Sequence, residues 1–224
     1  MPEDATRKAI LQAALAHVPF DGWSEATLRA AATDSGVPLA LARALFPRGG
    51  VDLALEYHRA GDRAMAQALA AGDLSALRFR DRVARAVMLR LEGADRELVR
   101  RGAALFALPQ NAAAGARAVW GTADAIWTAL GDTANDINWY SKRASLSAVY
   151  GATVLFWLGD ESTGHQATRD FLDRRIEGVM RFEKAKAALA ENPLGKALLR
   201  GPLKILERIH APGPADDLPG HRPN

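Results

Sequence analysis

The sequence predicts an all-α fold, on three observations. Apolar residues recur at helical spacing through most of the first 190 positions, broken at regular intervals by capping residues, glycines and prolines. No segment alternates polar and apolar residues as a half-buried strand would. The third observation is the stretch from Leu146 to Leu158, where Ser147, Gly151 and Thr153 are the sole interruptions of an apolar run. A helix apolar on nearly all sides must be covered by its own domain, a second subunit or lipid. At about 13 residues the run falls short of the ~20 that cross a bilayer, so it reads as a central buried helix.

The elements follow in order. From Asp4 to Val18, Ala5, Ala9, Ala13 and Ala16, with Ile10 and Leu15 between them, set the spacing of a first helix behind an acidic start. After the loop PFDGW, Ser24 is placed to cap a second helix that Gly36 stops, and Pro38 opens a short third helix ended by Pro47 and Gly49-Gly50. Three helices with a tight GVP turn between the second and third form a helix-turn-helix pattern. A fourth helix covers Val51 to Ala70. A fifth covers Leu77 to Glu92 on the Val83, Val87, Leu91 stripe, and Arg78, Arg80, Arg82, Arg85 and Arg90 read as its solvated face. Arg96 to Leu108 is a sixth, ended by Pro109. Asn111 to Leu130 is a seventh, carrying Val119, Trp120, Ile126 and Trp127.

The central helix starts near Asn135, Asp136 and Asn138, whose side chains can accept first-turn amides. Trp139, Tyr140 and Arg143 then share one side of its first turn. Two readings of these three stay open. Large amphipathic aromatics beside a guanidinium suit a contact surface, and a capped helix with Trp139 packed inward suits a core. Thr163 to Ala190 is a long amphipathic helix with Phe171, Leu172, Ile176, Val179, Met180 and Phe182 as apolar members. Beyond it, Leu194, Leu198, Ile205 and Ile209 line one side of a segment whose Lys196, Arg200, Lys204 and Arg208 repeat on another. A cationic stripe beside an aliphatic one is the pattern of a membrane-surface helix, here interrupted by Gly201-Pro202. From Ala211 onward four prolines and two glycines predict a disordered tail.

Composition limits function. The chain has 224 residues, 49% hydrophobic and 25% charged, with 29 basic and 26 acidic residues giving a net charge of +3. That mild excess does not call for nucleic acid or anionic membrane as a partner. Cysteine is absent, which excludes disulfides, thiolate metal sites and a cysteine nucleophile. The start MPEDATRKAI has no apolar signal core, so no secretion signal is expected. The five histidines are scattered without metal-ligand spacing, and phosphate-binding glycine motifs and a serine-hydrolase elbow are missing, so no catalytic residue, metal or cofactor is assigned. In the third helix, PLALARALF, Arg43 is the one side chain able to read a base, which argues against sequence-specific DNA binding.

The stretch GDTANDINWYSKRASLSAVYGATVLFWLGDES, followed by FLDRRIEGVM, resembles the signature of the ubiquinone-biosynthesis accessory proteins. These are lipid-binding proteins with a TetR-regulator-like fold that support the di-iron demethoxyubiquinone hydroxylase. The likeness runs from about Ile10 to Met180 and is strongest from Ile126 onward, with D-x-N-W-Y-[ST]-[KR]-R as its specific core.

The resemblance implies a TetR-like, all-α, non-enzymatic homodimer with a helix-turn-helix head at 1–50. A lipid-binding and dimerisation bundle at 51–190, a membrane-approach helix at 191–210 and a tail at 211–224 complete the chain. It further implies that the bundle holds an isoprenoid lipid or quinone intermediate and presents it to the hydroxylase, in the cytoplasm against the inner membrane. Asp136, Asn138, Trp139, Tyr140 and Arg143 match the family's partner-contact patch. Trp120 and Trp127 face the family's pocket, and with Tyr150 and Trp157 they are the lipid-lining candidates. Leu194, Lys196, Leu198, Arg200, Lys204, Ile205, Arg208 and Ile209 are the membrane-contact candidates. A TetR-type regulator sensing an apolar ligand would share the fold and remains the alternative, with an uncharacterised α-helical enzyme third.

Overall fold

A computed structural model describes residues 2–134 and 137–191 of the chain. All regular structure among the described residues is helical: α1 (Pro2–Ala14), α2 (Val18–Asp21), α3 (Glu25–Asp34), α4 (Leu39–Leu45), α5 (Gly50–Ala71), α6 (Phe79–Glu92), α7 (Arg96–Ala107), α8 (Pro109–Ala129), α9 (Ile137–Leu158) and α10 (Gln166–Glu191), with a 3-10 turn at Thr163–His165. The helix-turn-helix is built from α3 and α4. Ser24 caps α3 by accepting from the Thr27 N–H at 3.2 Å, and Gly36 turns the chain at φ +66°, a conformation that favours glycine. Pro38 stands at the N-cap of α4, one position earlier than a first-turn proline.

Two boundaries differ from the sequence reading. The PFDGW loop contains a helical turn, α2, begun by Val18-Pro19 after α1 stops at Ala14. Pro109, read as the end of one helix, also begins the next. It forces Leu108 into extended backbone (φ −66°, ψ 134°), so Leu108 is at once the C-cap of α7 and the N-cap of α8.

Two apolar cores result. The first packs Ile10, Val18, Trp23, Leu28 and Phe46 against Leu53 of α5 and Leu98 of α7. The Trp23 indole N–H donates to the Leu98 carbonyl at 3.0 Å, which ties the head to the bundle. The second packs α5, α6, α8, α9 and α10 around Met65, Val87, Ile126, Tyr150 and Leu172. Within α9 the stripe Leu146, Val149, Tyr150, Thr153, Trp157 is buried. The domain therefore covers one face of the central helix, not all of it. Ala144 and Ala148 on the other face are exposed, and Leu155 is 69% and Phe156 37% exposed.

Arg90 corrects the reading of the α6 arginines as a solvated row. It is 4% exposed and points into the bundle, where its Nε donates to Asp62 Oδ1 at 2.7 Å and its Nη2 to the His58 carbonyl at 3.0 Å. Gly61 makes room for it, since a Cβ there would lie 2.6 Å from the guanidinium carbon.

Candidate functional site

Three features of the bundle can do something beyond holding it together. The first is a cavity of about 310 Å³ between α5, α6, α7, α8 and α9. Its walls on α7 and α8 are largely glycine and alanine, including Gly102, Ala103, Gly115 and Ala116, while Leu91, Val119 and Val154 add aliphatic surface. Gly115 admits the Phe106 side chain, since a Cβ there would lie 2.7 Å from the Phe106 Cβ, and the alanines around it leave the remaining space unfilled. One side is polar, formed by Tyr57, His58, Arg90 and Tyr150. Leu155 stands at the rim and continues onto the exposed face of α9.

The polar side is a connected network. The Thr122 hydroxyl donates to Asp62 Oδ1 at 2.9 Å, and its oxygen accepts from His58 Nε2 at 2.7 Å. Burial, reinforced by Arg90, pushes the His58 imidazole down, so it is neutral. Burial raises the Tyr57 and Tyr150 hydroxyls above the ordinary phenol range, so both keep their protons.

The second feature is a groove of about 660 Å³ between α6, α8, α9 and α10, lined by Phe79, Trp127, Leu146, Ile176, Val179 and Met180 among others, with Arg78, Arg80 and Lys142 along it. Trp127 stacks on Phe79 at 5.6 Å, and its N–H donates to the Lys142 carbonyl at 3.1 Å.

The third is the aromatic head of α9. Trp139 and Tyr140, both half-buried, meet edge to face at 4.8 Å, and Trp120 packs against them at 6.0 and 6.5 Å. Arg143 lies beneath this cluster at 2% exposure. Its Nε donates to Asp124 at 2.6 Å, and its Nη1 donates to Asp132 and to the Trp139 carbonyl, each at 3.2 Å. Lys142 donates to Asp132 at 2.6 Å. Burial alone would raise the Asp132 carboxyl, but hydrogen bonds from Lys142 and Arg143 outweigh it and hold it below its ordinary range.

The sequence-derived candidates are thus divided. Tyr150 lines the first cavity and Trp127 the second. Trp120 belongs to the aromatic head. Trp157 is buried below Arg96 and His165 and lines neither cavity. Asn138, Trp139 and Tyr140 stand at the head of α9, Asn138 exposed. Arg143, grouped with them in the sequence, is spent inside the chain as their support. Asp136 and the membrane-contact candidates Leu194, Lys196, Leu198, Arg200, Lys204, Ile205, Arg208 and Ile209 lie outside the described residues. Sequence reasoning did not single out Asp62, Thr122, Asp124 or Arg90's inward role. An acid four residues from His58 on α5 was the available signal for Asp62. No helix among the described residues is long and apolar enough to cross a membrane, and no group of three or more metal-binding side chains occurs there.

The helix order and packing define a TetR-like fold. A TetR transcriptional regulator from Nitrosomonas europaea superposes with a TM-score of 0.60 at 20% identity, covering 76% of this chain and 95% of that one, a likeness of fold alone. The COQ9 family model matches residues 112–183, which hold the aromatic head and all of α9. A mitochondrial ubiquinone biosynthesis protein coq9 of Schizosaccharomyces pombe is 31% identical over 75% of this chain and 67% of its own length. The COQ9 protein of Drosophila melanogaster is also 31% identical, over 80% of this chain and 57% of its own length. The human COQ9 protein is 28% identical over 89% of this chain and 64% of its own length. The chain belongs to the COQ9 family. It spans between 57% and 65% of the first curated relatives it matches.

Proposed function

We propose that the protein is a non-enzymatic, lipid-binding accessory protein of ubiquinone biosynthesis, holding an isoprenoid quinone intermediate and presenting it to a di-iron hydroxylase at a membrane surface. The observation that carries this reading is the apolar cavity between α5 and α9, with polar groups along one side and an exposed leucine at its rim. Cavities of roughly 300–1,000 Å³ with few polar groups are the usual form of a small-molecule site. At about 310 Å³ this one has room for a head and the first part of a chain, and a longer tail would leave past Leu155.

In this reading residues 1–50 are a head that has lost DNA recognition and residues 51–190 the binding and dimerisation bundle. Asp136, Asn138, Trp139 and Tyr140 form the docking surface for the hydroxylase, with Arg143 holding it in place. Residues 191–210 approach the membrane through their cationic and aliphatic stripes, ahead of the tail at 211–224. Location against the inner membrane follows from the same reading, and the relatives named above are mitochondrial proteins. Deleting residues 192–224 should lower binding to anionic liposomes and spare lipid held in the cavity.

The regulator alternative shares the fold, but Arg43, the base-capable side chain of α4, donates from Nε and Nη2 to Glu25 Oε1 at 2.9 and 2.7 Å. The test is titration of delipidated protein with a short-chain quinone. A saturable rise in melting temperature supports the proposal, and no shift at ligand concentrations that saturate a known quinone-binding protein contradicts it.

A further inference from the structure

The polar side of the cavity carries one permanent cation among its lining residues, Arg90, and that charge is already answered. Asp62 accepts its Nε at 2.7 Å, and the carboxylate is also hydrogen-bonded by Thr122. An anionic head reaching Arg90 would meet the Asp62 carboxylate beside it, and repulsion between like charges in a partly dry site is not screened as it is in water. Neutral acceptors meet no such barrier. The Tyr57 oxygen accepts the Asp95 N–H at 3.0 Å, which leaves its own proton to donate. Tyr150, 3% exposed, keeps its proton but hydrogen-bonds Thr122 from the opposite helix, so the donors open to a ligand are the Tyr57 hydroxyl and Arg90. Arg90 itself uses Nε and Nη2 on Asp62 and the His58 carbonyl, and its Nη1 makes no hydrogen bond among the described residues.

We infer that this wall selects lipids by charge: it takes a neutral, oxygen-bearing ring head, a quinone carbonyl or a phenol, in preference to a carboxylate or phosphate on a chain of equal length, and the Arg90–Asp62 pair sets that preference. The inference rests on the cavity being the lipid site. Buried donors left without an acceptor disfavour a bare hydrocarbon, and the neutralised guanidinium disfavours an anion, so the neutral oxygen head is what remains.

The test is competitive displacement of the uncharged fluorophore N-phenyl-1-naphthylamine from delipidated full-length protein by a decyl-substituted benzoquinone, lauric acid and dodecyl phosphate. The quinone should displace the probe at concentrations at least tenfold lower than either anion. Asp62→Asn frees the Arg90 charge and should narrow or reverse that ratio. Tyr57→Phe keeps the ring in the wall of the site, so it serves if Asp62→Asn does not fold. It should weaken the quinone about five- to tenfold, the scale of one buried hydrogen bond, and leave lauric acid unchanged. Equal displacement by quinone and lauric acid in the unmodified protein overturns the inference, as does a quinone-to-laurate ratio that neither variant moves. Failure of the protein to take up the probe or any of the three ligands is a different result, which removes the lipid reading of the cavity and the inference with it.

Discussion

The Arg143 guanidinium lies 3.9 Å from the centroid of the Trp139 ring, one helical turn before it on α9, while its Nε is held by Asp124 of α8 at 2.6 Å. A guanidinium that the sequence groups with two aromatics is thus buried inside the chain, beneath the half-buried Trp139 ring. The two residues should separate on mutation. Arg143→Ala removes a buried guanidinium that bonds Asp124, Asp132 and the Trp139 carbonyl, while Lys142 still pairs with Asp132, and should cost about 2–3 kcal/mol of stability. Trp139 is half-buried, so Trp139→Ala loses ring contacts worth about 1–2 kcal/mol, and its larger effect should fall on binding of a hydroxylase partner, by about 2 kcal/mol or more. Thermal melts of both variants check the first part. Equal destabilisation would place Trp139 in the core and remove it from the docking surface.

Gly151 lines the cavity, and a Cβ built there meets Val119 Cγ1 at 4.0 Å and nothing nearer. Gly151→Leu should therefore fill empty space. Replacing a mid-helix glycine also removes an entropic penalty of about 0.5–1 kcal/mol. The variant should melt at or above the temperature of the delipidated parent while losing its response to added quinone. A variant that is stable and still takes up quinone would move the lipid site elsewhere, with the groove beside Trp127 as the next candidate.

Much of the helical order was legible in the sequence, because Ser24, Gly36 and the run from Leu146 to Leu158 are local signals. The chemistry of the site was not. Arg90 sits in a row with Arg78, Arg80, Arg82 and Arg85, and its partner Asp62 is 28 residues away, so neither spacing nor composition marks the pair. The cavity was equally hidden. Gly102, Ala103, Gly115 and Ala116 look like ordinary residues of two helices, and the space between them exists only once those helices face each other. The aromatic positions were found by type but not by role: Trp120, Trp127, Tyr150 and Trp157 lie on adjoining helices and reach different places, since each helix turns its side chains about 100° per residue.

Acid should weaken the fold through two carboxylates. Hydrogen bonds from Ser162 and Thr168 hold the Asp160 carboxyl far below its ordinary value of 3.8, and Lys142 and Arg143 hold Asp132 below the same value. A carboxyl depressed in the folded state adds stability that is complete above the unfolded pKa and is lost as pH falls below it. Denaturant unfolding between pH 7 and pH 3 should show stability falling from about pH 4 downward. Asp160→Asn should begin less stable and fall less steeply. Parallel curves for the two proteins would show that Asp160 does not contribute this dependence.

Leu155 and Phe156 leave an apolar patch that Phe171 extends, stacked on Phe156 at 4.4 Å. With the exposed Ala144 and Ala148, this face of α9 suits a second copy of the chain, which would complete the cover that one bundle does not give. Sedimentation at micromolar concentration should show a dimer, and Leu155→Arg should shift it to monomer without lowering α-helical content. A monomeric parent protein would remove the dimer and leave the patch to the lipid tail or the membrane.

Organic extraction of protein purified from its native host, followed by mass spectrometry of what is released, reads out whether the bundle carries an isoprenoid lipid. A quinone intermediate or other isoprenoid recovered in near-stoichiometric amount from the parent protein, and much less from Gly151→Leu, is the predicted result. Repeated extracts that contain no lipid above the background of an unrelated helical protein, or equal amounts from both proteins, would contradict it.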